Sequence, residues 1–208
     1  MIIAFKCVMK LFLVVIIAFS SITTLLADDF DETYMDESVT DNAVATPPLL
    51  TKAEKSKIFL MFPFAEKNRR INSYFGDRII VGKEEFHNGI DIDADPGTEV
   101  LAAHSGFVVL VGENSLSGKH VAIESMDGSY RTHYGHLKSI PEDDICEAVF
   151  VLEGDLIGLV GEKCKSCTGP HLHFVLKYKR KNEKSFKSIN PLHLFYDYHP
   201  SKQNKHPA

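Results

Sequence analysis

Between Glu99 and Tyr178 the chain is a succession of short β-branched and aromatic runs punctuated by glycine, and that pattern restricts it to a mainly β fold. The runs are Glu99 to His104, Phe107 to Val111, His120 to Ser125, Tyr130 to Leu137, Leu156 to Val160 and Leu172 to Tyr178. Gly106, Gly112, Gly118, Gly128, Gly154 and Gly161 stand at or near their ends. No long stretch carries apolar residues at helical spacing. Strands this short, joined by such turns, predict a compact antiparallel sheet or sandwich. A chain of 208 residues has room for one such core plus tails.

The ends read differently. Lys6 and Lys10 precede an apolar run from Leu11 to Phe19, and a Ser/Thr-rich stretch then leads to Ala27. Residues 1–27 are expected to be a signal peptide cut after Ala27, with an N-terminal anchor as the alternative and with Met1 or Met9 as the start. The strictly apolar part is shorter than the ~20 residues of a comfortable span, so no stable membrane span is expected after processing. Residues 28–57 open with seven acidic residues and no Lys or Arg as far as Leu50, and self-repulsion makes this a solvated spacer. The folded domain is expected over 58–198, with a flexible tail at 199–208. A net charge of −5 argues against nucleic acid, whose phosphates call for a concentrated basic face. The basic cluster from Lys177 to Lys187 is expected in a polar hairpin loop.

Three segments place histidine beside glycine or acid: Phe86 to Asp91, Thr132 to Leu137, and Gly169 to Phe174. His171 and His173 are two apart in a strand, so both imidazoles leave on one face. His87 and Asp91 are four apart, about 13 Å along a straight strand at ~3.3 Å per residue, and Gly89 lets the chain turn so that they converge. A His, an Asp and a second His leave one tetrahedral position open, the pattern of a catalytic zinc site. No His-Glu-x-x-His helix supplies a general base, so another proton carrier is needed. If Tyr130 to Leu137 is a strand, Thr132, Tyr134 and His136 share a face, which puts His136 at the site and His133 outside. His136 and His171 are then the candidates for proton transfer, with their individual roles open. His104, His120, His193, His199 and His206 are expected to be surface or strand residues, and Tyr134 and Asn72 to border the groove or fill the core.

The stretch from about Phe62 to Leu194 resembles the lysostaphin and LytM type of zinc endopeptidase, metallopeptidase family twenty-three. The residues that carry the resemblance are Ile71 to Arg78, His87 to Ile92, Gly97-Thr98 with Val100, the Ala102-Ala103 and Gly106 turn, Tyr134 to Leu137, Gly154-Asp155 with Ile157-Gly158 and Gly161, and Thr168 to Phe174. The resemblance implies one Zn2+ per domain held by His87, Asp91 and His173, with His136 and His171 as the catalytic pair. It also implies a groove over the sheet, and peptidoglycan stem peptides or cross-links as the substrate. The expected protein is thus an exported, monomeric zinc endopeptidase of the periplasm or cell envelope. A non-catalytic regulator of other wall hydrolases on the same fold is the alternative. Cys164-Lys165-Ser166-Cys167 departs from the family pattern and is read as a local disulfide or two buried thiols; with Cys146 the count is odd, leaving one thiol free or paired between molecules.

Overall fold

A computed structural model of the chain describes residues 47–199, apart from 81, 116, 142 and 163–168. The signal peptide at 1–27, most of the spacer, all but the first residue of the 199–208 tail, His206 and the Cys164 to Thr168 segment lie outside the described residues. No helix among the described residues is long and apolar enough to cross a membrane.

The fold is the expected antiparallel β architecture. One sheet of ten strands runs in the order β1 (Ile71–Ser73), β4 (Ile90–Asp93), β11 (His171–Tyr178), β8 (Tyr130–Ser139), β7 (Gly118–Ser125), β6 (Gly106–Asn114) and β9 (Phe150–Val151). It branches where β10 (Leu156–Val160) pairs with both β5 (Glu99–Leu101) and the end of β8, and where β12 (Lys187–Ile189) pairs with β11. A separate hairpin joins β2 (Gly76–Ile80) to β3 (Lys83–His87). Lys179, Arg180, Lys181 and Lys184 of the basic cluster fall on the connection between β11 and β12, whereas Lys177 is a buried residue of β11 and Lys187 opens β12. One strand pair, β2–β3, and the short β1, β9 and β12 were not foreseen; β2 and β3 carry charged residues among their apolar ones, so no alternation marks them.

One face of the central strands makes the core. Tyr134 and Phe174 sit opposite each other in the β8–β11 ladder, and their rings meet edge to face with centroids 5.4 Å apart. Phe62, Phe195 and Tyr198 close over them, with Phe62 and Tyr198 stacked at 4.7 Å. Tyr134 is therefore a core residue, and its hydroxyl is satisfied by the Ala103 amide at 2.8 Å and the Thr132 hydroxyl at 3.0 Å. A buried hydroxyl requires such partners. His104 joins this network through Thr132 Oγ1 at 2.9 Å, and burial depresses its imidazole to about 4.

Residues placed with the spacer on composition are in part folded. Thr51 and Glu54 form a capping box at the start of α1 (Lys52–Lys55), and Glu54 accepts from Arg180 Nε at 2.7 Å. Leu50 packs against the core. Cys146 is disulfide-bonded, so it is not the thiol left over from a local Cys164–Cys167 bridge. Its partner lies outside the described residues; spatial approach, which sequence spacing does not give, decides cysteine pairing.

A candidate metal centre beside a histidine pair

The other face of the same strands carries the site. His173 pairs with Asp91 on one side and with Gly135 on the other, so these positions share a face, whereas Phe174, Tyr134 and Ile90 point into the core. His87 is the last residue of β3, and Asn88 and Gly89 link it directly to Asp91 in β4. Gly89 does more than turn the chain. A Cβ there would lie 2.5 Å from the Phe174 carbonyl oxygen and 2.9 Å from Val175 Cγ2, so only glycine lets this turn lie against β11.

His87 Nε2, Asp91 Oδ1 and His173 Nδ1 converge, with separations of 3.1, 3.2 and 2.8 Å. Ligand atoms on a tetrahedral ion with bonds of ~2.0–2.1 Å are themselves ~3.3–3.4 Å apart, so the three atoms form one face of such a polyhedron, drawn in slightly, and a small outward shift would admit the ion. The far atom of each side chain is also engaged. His87 Nδ1–H donates to the Tyr74 carbonyl at 2.9 Å, which leaves the Nε2 lone pair facing inward. His173 Nε2–H donates to Asn88 Oδ1 at 3.1 Å, which leaves Nδ1 free. Asp91 Oδ2 faces Arg78 Nη1 at 3.4 Å. Hydrogen bonds of this kind fix the tautomer and orientation that a metal ligand needs. Burial alone would raise the Asp91 carboxyl; when no ion is bound and an inward nitrogen of His173 or His87 carries a proton instead, that contact lowers the group below the usual carboxylate range.

His136 and His171 face each other beside these three, with ring centroids 4.7 Å apart and planes at 74°. His171 Nδ1–H donates to the Gly169 carbonyl at 2.9 Å, so Nε2 is the acceptor, and it stands 3.7 Å from Asp91 Oδ1. Burial and the neighbouring His171 depress His136 to about 4, which keeps it neutral at neutral pH.

The structure brings all five sequence-chosen residues together, but the alternation used to choose His136 does not hold. Thr132 and Tyr134 point into the core, away from the site. Strict alternation would bury His136 with them. Instead β8 shifts register between its Tyr134 and Leu137 pairings with β7, and His136 takes a left-handed φ of 62°. That conformation is unfavourable for a residue with a Cβ and persists only where surroundings enforce it. Here the His136 amide donates to the Ser117 carbonyl at 2.6 Å, and its carbonyl accepts from the Gly161 amide at 2.8 Å. A Cβ on Gly161 would stand 2.7 Å from the His136 oxygen, so the glycine admits this contact. His133 is a second correction. It lies buried on the same face as His173, opposite Val175, where it was expected outside; burial and the nearby Lys177 push its imidazole well down.

Arg78, Asn88 and the Tyr74 carbonyl were not singled out from the sequence as supports of the site. Asn88 stands next to a candidate ligand, which is the only signal that could have drawn attention to it. Asn72, expected near the groove, is exposed and bonds Asp93 Oδ1 at 2.8 Å.

Comparison with known proteins agrees with this geometry. An uncharacterized metalloprotease of Buchnera aphidicola is 34% identical over 139 residues, covering 66% of this chain and 34% of that protein. The peptidoglycan DD-endopeptidase ShyA of Vibrio cholerae is 30% identical over 139 residues, covering 65% of this chain and 31% of that protein. The chain thus spans about a third of the length of the curated relatives it matches. Among solved structures, a zinc-containing peptidase from Vibrio cholerae superposes with a TM-score of 0.53 at 27% identity, over 64% of this chain and 39% of the other. The catalytic domain of the prophage-encoded EnpA from Enterococcus faecalis gives 0.50 at 31% identity, over 62% of this chain and 93% of the other. Residues 85–188, half of the sequence and the span from β3 to β12 that holds all five site residues, match peptidase family M23, and the chain belongs to that family.

Proposed function

We propose that this protein is a zinc-dependent endopeptidase that hydrolyses peptide bonds of peptidoglycan stem peptides or cross-links. The observation that carries the reading is the convergence of His87 Nε2, Asp91 Oδ1 and His173 Nδ1 within 3.2 Å, with the His136–His171 pair beside them. Two imidazole nitrogens and one carboxylate oxygen are a donor set that suits zinc. When bound, the ion supplies Lewis-acid polarisation of a carbonyl and acidifies water.

The remaining chemistry belongs to side chains of this chain. His87, Asp91 and His173 would hold the ion, each locked by a partner on its far atom. His171, with its Nδ1–H committed to Gly169, offers Nε2 to accept a proton and to return it to the departing amine. His136, kept neutral, is placed to steady the charge that develops on the scissile carbonyl oxygen. An exported domain led by a signal peptide at 1–27 and a spacer, and acting as a monomer in the periplasm or cell envelope, completes the reading; the peptidoglycan DD-endopeptidases among its relatives support the substrate class.

The deciding experiment digests purified peptidoglycan with the protein, first with zinc and then with a chelator, and reads muropeptides by mass spectrometry. Cross-linked species should disappear only with metal, and His173→Ala or His87→Ala should abolish the loss. An unchanged digest from folded, zinc-loaded protein would defeat the enzyme reading in favour of a non-cleaving wall-binding module.

A further inference from the structure

The β2–β3 hairpin stands apart from the large sheet, yet it ends in His87 and its most connected side chain reaches back to the site. Arg78 and Glu85 are directly opposed in the hairpin ladder, and Arg78 Nη2 donates to Glu85 Oε1 at 2.6 Å. The other arm of the guanidinium points inward: Nη1 donates to Ser73 Oγ at 2.9 Å and faces Asp91 Oδ2 at 3.4 Å. Ser73 Oγ in turn lies 3.4 Å from His87 Nδ1. One planar fork therefore spans from a half-exposed glutamate to the outer side of two of the three converging residues. Lysine has no such fixed geometry.

We propose that Arg78 is a positioning residue for the metal centre, holding Asp91 by Oδ2 so that Oδ1 alone is presented to the ion, and that Glu85 sets the angle of the guanidinium from the hairpin. The inference rests on the zinc reading above and concerns how tightly this chain binds the ion. Its sign is opposite to that of simple electrostatics. A cation beside the site repels a dication, so if charge alone mattered, removing Arg78 would tighten zinc binding. A positioning role requires that binding weaken, since loss of an outer-shell partner costs ~10–100-fold in metal affinity.

The test is zinc affinity, read without substrate by competition between the full chain and a chromogenic zinc chelator. Arg78→Gln should weaken binding by ~10–100-fold, and Arg78→Lys should fail to restore it. Glu85→Gln should weaken it less. Metal-free wild type and variants should melt together, while the rise in Tm caused by zinc should shrink in the variants. If metal-free Arg78→Gln proves unstable, Glu85→Gln on the exposed hairpin decides the matter alone. Unchanged or tighter zinc binding by Arg78→Gln, or full recovery with lysine, overturns the inference while leaving the peptidase reading intact. Wild-type protein that takes up no zinc overturns both.

Discussion

The two halves of the site are held in place by different means. On the candidate ligand half, His87, Asp91 and His173 each have a hydrogen-bonding partner on the atom that faces away from the centre: the Tyr74 carbonyl, Arg78 and Asn88. On the histidine-pair half, position comes from the backbone. His136 sits at a left-handed φ of 62°, clamped between the Ser117 carbonyl and the Gly161 amide, and His171 is tied to the Gly169 carbonyl two residues earlier. A metal centre needs fixed tautomers, which hydrogen bonds to the ring supply. A proton carrier needs placement with one nitrogen left free, and main-chain geometry provides that at the expense of local strain.

The sharpest way to separate the halves is to remove one imidazole of the pair. His171→Ala should lower peptidoglycan cleavage by ~10²–10⁴-fold while zinc affinity stays within a few fold. Parallel loss of metal and activity would mean that the two halves are one unit. Acid should act on the core as well as on the histidine pair, since His104 and His136 are depressed alike. His104 is depressed to about 4 from an ordinary value of 6.5, so the neutral form is favoured by folding. Its stabilising effect is full above pH 6.5 and is lost as pH falls toward 4, where the unfolded chain binds a proton that the folded chain resists. The shift corresponds to about 3 kcal/mol, and His104→Gln should flatten the pH dependence of the melting temperature in that window. A melting curve equally steep in the variant would exclude His104 as the source.

Gly161→Ala attacks the backbone clamp. Pushing the β10 end away from the His136 carbonyl should cost about 10²-fold in turnover, the scale of a 1 Å misplacement, with zinc retained. The smallest effect is expected on the ligand half. Asn88→Ala frees the His173 ring and should weaken zinc by ~10-fold, at the low end for an outer-shell contact. Competition with a chelator reads it; unchanged affinity would show that β11 alone orients His173.

The strands from β5 to β8, β10 and β11 were legible because two-residue periodicity and terminal glycines mark them directly. The hairpin β2–β3 was not, since Arg78, Glu84 and Glu85 leave no apolar alternation. That His87, Asp91, His136, His171 and His173 lie together was legible from residue types and spacing combined with the family resemblance. Alternation along β8 does not bring His136 to the site; a register shift in the strand does. His133 was misplaced by the same rule, which assumes that one face of the strand is wet. Here both faces of β8 are covered: His133 is buried on one, and Thr132 and Tyr134 are buried on the other.

By itself the sequence determined the β class, the position of the core strands, the family and the residues able to bind metal, because these depend on local periodicity and on side-chain chemistry. The tertiary structure alone decided how His136 reaches the site, which atoms of His87 and His173 face inward, that Cys146 is bonded, and that Arg78 leans on Asp91. Those are matters of register, backbone hand and contact between segments distant in the chain, and neither the spacing nor the chemistry of neighbouring residues encodes them.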